Sequence, residues 1–368
     1  MRIPMLDLDA QYNPIKGEIF TAFEEVFSTK RFVGGPKIDE LENKIAEYCH
    51  CEYAIGVSSG TDALLISLMA LDVGAEDEVI TTPFTFFATA GSIYRVGAKP
   101  VFVDIDPKTY NIDPELIEEK ITSKTKAIIP VHLFGQMCNM EKIKKIAEKH
   151  NIFVIEDAAQ AIGSEQNGKR AGSIGHFGCF SFFPSKNLGC AGDGGMVTTN
   201  NFELAEKVRI LRNHGSKPRY HHKIIGGNFR LDALQAAILL KKLPHLEDWH
   251  QGRQENAKYY NDRLANYAQT PFVEPRNRMI YNQYTLRFEN RESVQDNLNK
   301  FNIGNAIYYP IPLHLQECFS HLGYKQGDFP QAEKAAKEVL SIPIYSELTK
   351  KQQDYIISCI KEINSRLK

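Results

Sequence analysis

No apolar run in this sequence approaches the length of a membrane span, so no association with a membrane is expected. The opening stretch, MRIPMLDLDAQYNP, carries acidic residues where a secretory leader needs an apolar core, and a cytoplasmic protein is expected. An excess of charge of either sign is also lacking: 44 Lys and Arg stand against 45 Asp and Glu, for a net charge of −1. With no basic helix-turn-helix pattern either, nothing draws the chain toward nucleic acid. The short basic cluster Lys217-Pro218-Arg219-Tyr220-His221-His222 reads as a solvated rim or a phosphate contact. Cysteines are few, odd in number and scattered, 7 in 368 residues, which argues against a disulfide framework. Cys49-His50-Cys51 has no second Cys/His pair at zinc-like spacing, so no metal is expected. Repeats and low-complexity tracts are missing. So are GxxxxGK[ST] and GxGxxG, the fingerprints of ATP and dinucleotide binding.

What is present is alternation. After two segments of helical spacing (15–30 and 37–49), short apolar runs take turns with helix-like stretches. The runs are 53–57, 78–82, 100–105, 126–134, 152–158, 177–183 and 195–199. Helices are expected from Thr61, Phe87, Pro114, Met140 and Glu203. This pattern predicts an α/β fold with a mostly parallel sheet wrapped by helices, whose ligands sit at the carboxyl ends of the strands. Beyond the helix 232–243 the pattern changes. A charged connector helix (247–264), a strand–helix–strand layer (282–288, 291–301, 304–309) and two closing helices (330–340, 350–367) predict a smaller α+β domain. The expected division is a large domain over 1–245 and a small one over 246–368.

The stretch Phe177–Met196, FGCFSFFPSKNLGCAGDGGM, organises the rest. A buried-looking strand stops at Pro184 and Ser185, a single lysine follows, and a glycine-rich loop comes next. An amine held at the end of a buried strand has a lowered pKa, the state it needs to attack a carbonyl. Taken alone, Lys186 reads more readily as a solvated loop residue, and its meaning comes from its companions. Ser58-Ser59-Gly60-Thr61-Asp62 joins a strand to a helix and makes a natural phosphate cradle or an ordinary helix cap. Phe86 follows the next strand and could cover a flat heterocycle or pack in the core. The strand Ile152–Ala158 ends in Glu156-Asp157, two carboxylates that need a partner when buried. A protonated ring nitrogen would serve, as would a structural arginine or the next helix. Gln160, read as one helical step on, could reach a ring hydroxyl.

The ordered set GTDAL (60–64), TPFTFFAT (82–89), VIEDAAQ (154–160), SFFPSKNLGCAGDGG (181–195), GGNFRLDALQAAIL (226–238) and YYPIPLHLQ (308–316) resembles the DegT-type family of nucleotide-sugar aminotransferases, which depend on pyridoxal 5'-phosphate (PLP). The resemblance spans nearly the whole chain. It implies a fold type I aminotransferase, a homodimer with shared active sites, and PLP as cofactor with its pyridoxamine form as intermediate. Lys186 is similar to the lysine that attaches the cofactor and shuttles the proton, Asp157 to the ring-nitrogen partner, and Gln160 to the contact with the ring oxygen. Phe86 would stack on the ring. Gly60, Thr61 and Ser181 would hold the phosphate, with Asn228 reaching in from the other subunit. Tyr309 resembles a sugar-pocket residue. Arg230 resembles either a substrate contact or a structural interface arginine, and Arg230 with Arg219 could meet a uronate carboxylate or the diphosphate.

Many relatives carry histidine before that tyrosine; here Tyr308 stands there, so the histidine's role is not transferred. The retained Lys186 sets the chain apart from the dehydratase members. KNLGCAGDGG is similar to the members that aminate C3 rather than C4. The implied reaction moves an amino group from L-glutamate to a keto-sugar nucleotide at C3. The alternatives are C4 amination, a cyclitol ketone as acceptor, or a regulatory relative without catalysis.

Overall fold

The alternating pattern folds into one central sheet. The computed structural model describes residues 1–367. Its first strands are β1 (Tyr53–Val57), β2 (Glu78–Thr81), β3 (Lys99–Phe102), β4 (Thr125–Ile128) and β5 (Phe153–Asp157). Two short strands follow, β6 (Glu165–Gln166) and β7 (Lys169–Arg170), then β8 (Phe177–Ser181) and β9 (Gly195–Thr199). The last are β10 (Asn277–Arg278), β11 (Tyr284–Arg287) and β12 (Val339–Ile342). Seven of these form the sheet β1-β9-β8-β5-β4-β2-β3, in which β9 alone runs against its neighbours. The other six therefore end on one edge, and the loops after β1, β2, β4, β5 and β8 gather there.

These strands are nearly continuous apolar runs because helices cover both faces. The helix Gly60–Ala70 shows why: most of its residues are buried, with Leu64, Ile66 and Leu68 against Val57, Phe177 and Val197 of the sheet. On the other face, the amphipathic helix Pro36–Cys49 buries Ile38, Leu41 and Ile45. Each such side chain contributes about 1.5–3 kcal/mol on burial.

A second body of apolar side chains lies around β11, β12 and the helices Leu246–Leu264 and Lys350–Leu367. It draws in Ile3, Phe84 and Phe102 from earlier in the chain, and Ile3 pairs with Ile303. Arg253, buried on the long helix, donates to the carbonyls of Tyr281 (3.0 Å) and Ile344 (2.9 Å) and so ties that helix to the segments beside β11 and β12.

Five expectations are corrected. The segment from Pro114 holds only two 3-10 turns, Pro114–Leu116 and Glu118–Lys120. Asp113 caps the first turn by accepting from the Glu115 N–H (3.0 Å), and the Thr122 N–H donates to Thr125 Oγ1 (2.9 Å), which turns the chain back into the sheet. The run 126–134 is a strand only to Ile128; beyond it the chain turns, with Phe134 at φ 58°. Residues 304–309 are not a strand, since Ala306 makes a single bridge to Ser341. The partner of β11 is β12, whose first residues were assigned to the helix beginning at Pro330. Val339–Ile342 is buried throughout, and an apolar run buried on all sides has the same period in either structure. Finally, the chain after Asp157 is a turn, so Gln160 is not on a helix.

Candidate active site

The loop after β1 caps the helix Gly60–Ala70. Ser59 Oγ accepts from the Asp62 N–H at 3.0 Å, and the Asp62 carboxylate accepts from Ser58 Oγ (2.6 Å) and Ser59 Oγ (3.1 Å). The two serines are thus committed to the cap, which leaves Thr61 and the first N–H groups of the helix to the space in front of it. Gly60 lies against the end of β8, and a Cβ there would fall 2.7 Å from Ser181 Cβ. Gly60→Ala is accordingly expected to cost about 1–3 kcal/mol of stability through overpacking. It should also weaken binding of a phosphate-bearing ligand, both measurable by thermal melts with and without PLP.

The two carboxylates ending β5 point to opposite faces, and Glu156 has partners other than the arginine or helix anticipated. Glu156 is fully buried and accepts from four donors: His132 Nε2 (2.9 Å) and the N–H groups of Gly172 (2.9 Å), Ile174 (2.8 Å) and Gly175 (2.7 Å). Burial pushes its pKa up, but these donors outweigh burial and hold it below the ordinary value. His132 Nδ1 accepts from the Cys138 N–H at 3.1 Å, which leaves the ring proton on Nε2 for Glu156. No arginine takes part.

Asp157 faces the other way. It is 5% exposed, with Oδ2 accepting from Thr89 Oγ1 (2.8 Å) and Oδ1 from the Ala159 N–H (3.2 Å). Burial raises its pKa, against the lowering effects of Thr89 and Ala159. It is a buried carboxylate with room for a cation.

Lys186 stands across the same cavity from Asp157. Its backbone is fixed by a bond from its N–H to the Phe183 carbonyl, 2.8 Å. The side chain keeps some exposure, yet the protein packed about it removes enough water to lower its pKa to about 8, with Asp157 opposing. The cavity, about 490 Å³, has the size of a small-ligand site.

Gly60, Thr61, Phe86, Asp157, Gln160, Ser181, Lys186 and Tyr309 all line this cavity. The Phe86 ring is 57% exposed and sits 6.2 Å from the Tyr309 ring, a tilted pair at the cavity wall. Gln160 is oriented from behind: its Oε1 accepts from the Phe134 N–H (2.7 Å), so its amide N–H groups face inward, one of them to Tyr309 OH (3.1 Å). Asn228 and Arg230 do not line the cavity of their own chain. Asn228 is exposed and bridges Asn213, and Arg230 bridges Val57.

Thr89 and Gln283 are additional. Thr89, inside the quoted motif, could have been read from its place one turn after Thr85, to whose hydroxyl it bonds at 3.1 Å. Gln283 lines the cavity from the lead-in to β11, and no sequence signal marks it. Cys49 is buried, and Cys51 Sγ lies 3.2 Å from the Gly172 carbonyl oxygen, so both serve packing here.

Comparison with known proteins places this geometry. Residues 13–361 match the model of the DegT/DnrJ/EryC1/StrS aminotransferase family. A pleiotropic regulatory protein of Geobacillus stearothermophilus is 52% identical over 98% of each chain. The UDP-2-acetamido-2-deoxy-3-oxo-D-glucuronate aminotransferase of Pseudomonas aeruginosa is 46% identical over 94% of this chain and 96% of its own. Among solved structures, S. venezuelae DesV in complex with a ketimine intermediate superposes with a TM-score of 0.97 at 38% identity, covering all of both chains.

Proposed function

Because the chain belongs to the DegT/DnrJ/EryC1/StrS aminotransferase family, we propose that it transfers an amino group from L-glutamate to a 3-keto nucleotide sugar, with PLP as cofactor. The observation that carries this reading is the facing pair in one cavity: Asp157, buried without a cation bonded to it, and Lys186, whose amine is lowered to about 8. The residues present fit the cofactor. The cradle at Gly60 and Thr61 is a helix N-terminus packed too tightly for a Cβ, Phe86 exposes a ring face, and Gln160 presents N–H groups. When bound there, PLP supplies an electron sink for charge that develops on the substrate carbon.

The protein's own groups do the rest. Asp157 holds a proton on the ring nitrogen by its negative charge, and Thr89 orients it. Gln160 donates toward the ring oxygen. Lys186 Nζ, once free, would take the proton from the amino-acid carbon as general base and, as general acid, deliver it to the cofactor carbon that bears the amine nitrogen. Asn228 would complete the phosphate site from a second copy of the chain.

C3 rests on the Gly189–Gly195 loop and on relatives named for 3-amination, such as the dTDP-3-amino-3,6-dideoxy-alpha-D-galactopyranose transaminase of Aneurinibacillus thermoaerophilus, 44% identical. We place the protein in the cytoplasm; among the described residues, no helix is long and apolar enough to cross a membrane.

The experiment is incubation with L-glutamate and a panel of 3-keto and 4-keto UDP- and dTDP-sugars, with NMR of the products. New nitrogen at C3 is expected. Amination confined to C4, or to cyclitol ketones, would overturn the regiochemistry. The regulatory name of one relative is compatible with this reading, which is supported by Lys186 and Asp157 lining one cavity.

A further inference from the structure

The loop between Lys186 and β9 is fastened from outside along most of its length. Cys190 N–H donates to the Phe182 carbonyl and Phe182 N–H to the Gly194 carbonyl, each at 2.8 Å. Ala191 is gripped twice by Gln235, through its N–H (2.9 Å) and its carbonyl (3.2 Å). Buried Lys242 donates to the Gly189 carbonyl at 2.6 Å. Gly195 then packs so closely on the Ser59 carbonyl that no Cβ fits, which holds the end of the loop beside the phosphate cradle. In the midst of these ties, Asp193 is exposed, lines the cavity and engages no other described residue through its carboxylate. A segment held so firmly presents its one free side chain in a fixed place.

We propose that Asp193 is a substrate-binding residue that accepts hydrogen bonds from hydroxyl groups of the sugar acceptor and disfavours the dicarboxylate donor. The inference rests on the function proposed above. Asp157 and Asp193 are the cavity's two acids, and the carboxylate of Asp157 already accepts from Thr89 and Ala159. Around them Gln160 brings amide N–H groups, and Tyr308 and Tyr309 bring hydroxyls. A ring that carries several O–H groups needs acceptors as well as donors, and a carboxylate makes the stronger, charge-assisted bonds. L-Glutamate carries two carboxylates of its own. Asp193 therefore repels one substrate of the exchange while it holds the other, which lets both use a single cavity in turn.

The test separates the two half-reactions in Asp193→Asn, followed by absorbance of the PLP-loaded protein. With the keto-sugar nucleotide, kcat/KM is expected to fall about 10–100-fold, mostly through KM, as for loss of a charged hydrogen bond. With L-glutamate, half-saturation should move to concentrations a few-fold lower. Calorimetry with UDP-N-acetylglucosamine and dTDP-glucose as unreactive probes should show weakened binding of whichever probe the wild type binds. Asp193→Ala should lose more in each sugar measurement. An unchanged sugar half-reaction, an equal loss in both half-reactions, or an altered subunit dissociation constant would each overturn the assignment. A wild-type protein that reacts with neither substrate would instead overturn the proposed function.

Discussion

Lys186→Ala is expected to abolish transamination, with turnover falling by about 10⁴-fold or more, the size of a lost acid–base catalyst. The same variant should bind PLP without the visible absorption of a lysine-attached cofactor. The physical basis is the state of the amine. Because protein has replaced water around it, its pKa is lowered to about 8. At pH 7 about a tenth of such an amine is free base, against roughly one in three thousand at an ordinary lysine pKa. Covalent capture of added PLP by the unloaded protein should therefore quicken as pH rises through about 8. Lys186→Arg separates chemistry from packing. It keeps a long cationic side chain but never releases its proton, and it should be as inactive as the alanine variant while it remains folded. Measured turnover in either variant within tenfold of wild type would remove Lys186 from the mechanism.

Asp157→Asn is expected to lower turnover by about 10²–10³-fold, as when one preorganised electrostatic group is removed. The neutral amide keeps the shape and can still meet Thr89 and Ala159, so the loss reports charge rather than collapse of the cavity. Stability should move the other way when no cofactor is bound. Burial raises the pKa of Asp157 in the folded state, so its contribution to stability is full below the ordinary aspartate range and is lost as pH rises through the raised value. At pH 7 the unloaded asparagine variant should therefore melt at or above the wild-type temperature. With PLP bound the order should reverse, because the cationic ring then offsets the buried charge in wild type alone. Melts of both proteins between pH 4 and 7, with and without PLP, check the sign. An asparagine variant with near wild-type turnover would contradict the role.

The strand ends were legible because short apolar runs punctuated by Gly, Ser and Pro leave a clear period, and Gly60, Thr61, Phe86, Asp157, Gln160 and Lys186 lie at or just after the end of such a run, whereas Asn228 and Arg230 follow none. Lys186 and Asp157 drew their meaning from that order of motifs, since either alone has an ordinary structural explanation. What stayed hidden depends on the backbone. The carboxylate of Glu156 is held by three N–H groups of the loop 172–175, which no side-chain pattern records. β12 and the helix before it share one apolar run, and only pairing with β11 separates them. Asp193 falls in what the sequence shows only as a glycine-rich loop, whereas Gln235 and Lys242 hold that loop in place from a helix far along the chain. Asn228 and Arg230 do not line their own cavity, and their place in the reading depends on a second copy of the chain.

The central claim is that Lys186, Asp157 and the cradle at Gly60 form a working PLP transaminase site. Its most direct test is the absorption spectrum of the purified protein with PLP, recorded before and after L-glutamate, with 2-oxoglutarate assayed in the same sample. A visible band that shifts to shorter wavelength on adding glutamate, with one 2-oxoglutarate released per site, is the predicted result. A protein that forms no such band, or forms it and leaves it unchanged by glutamate and by every other amino acid tried, would contradict it.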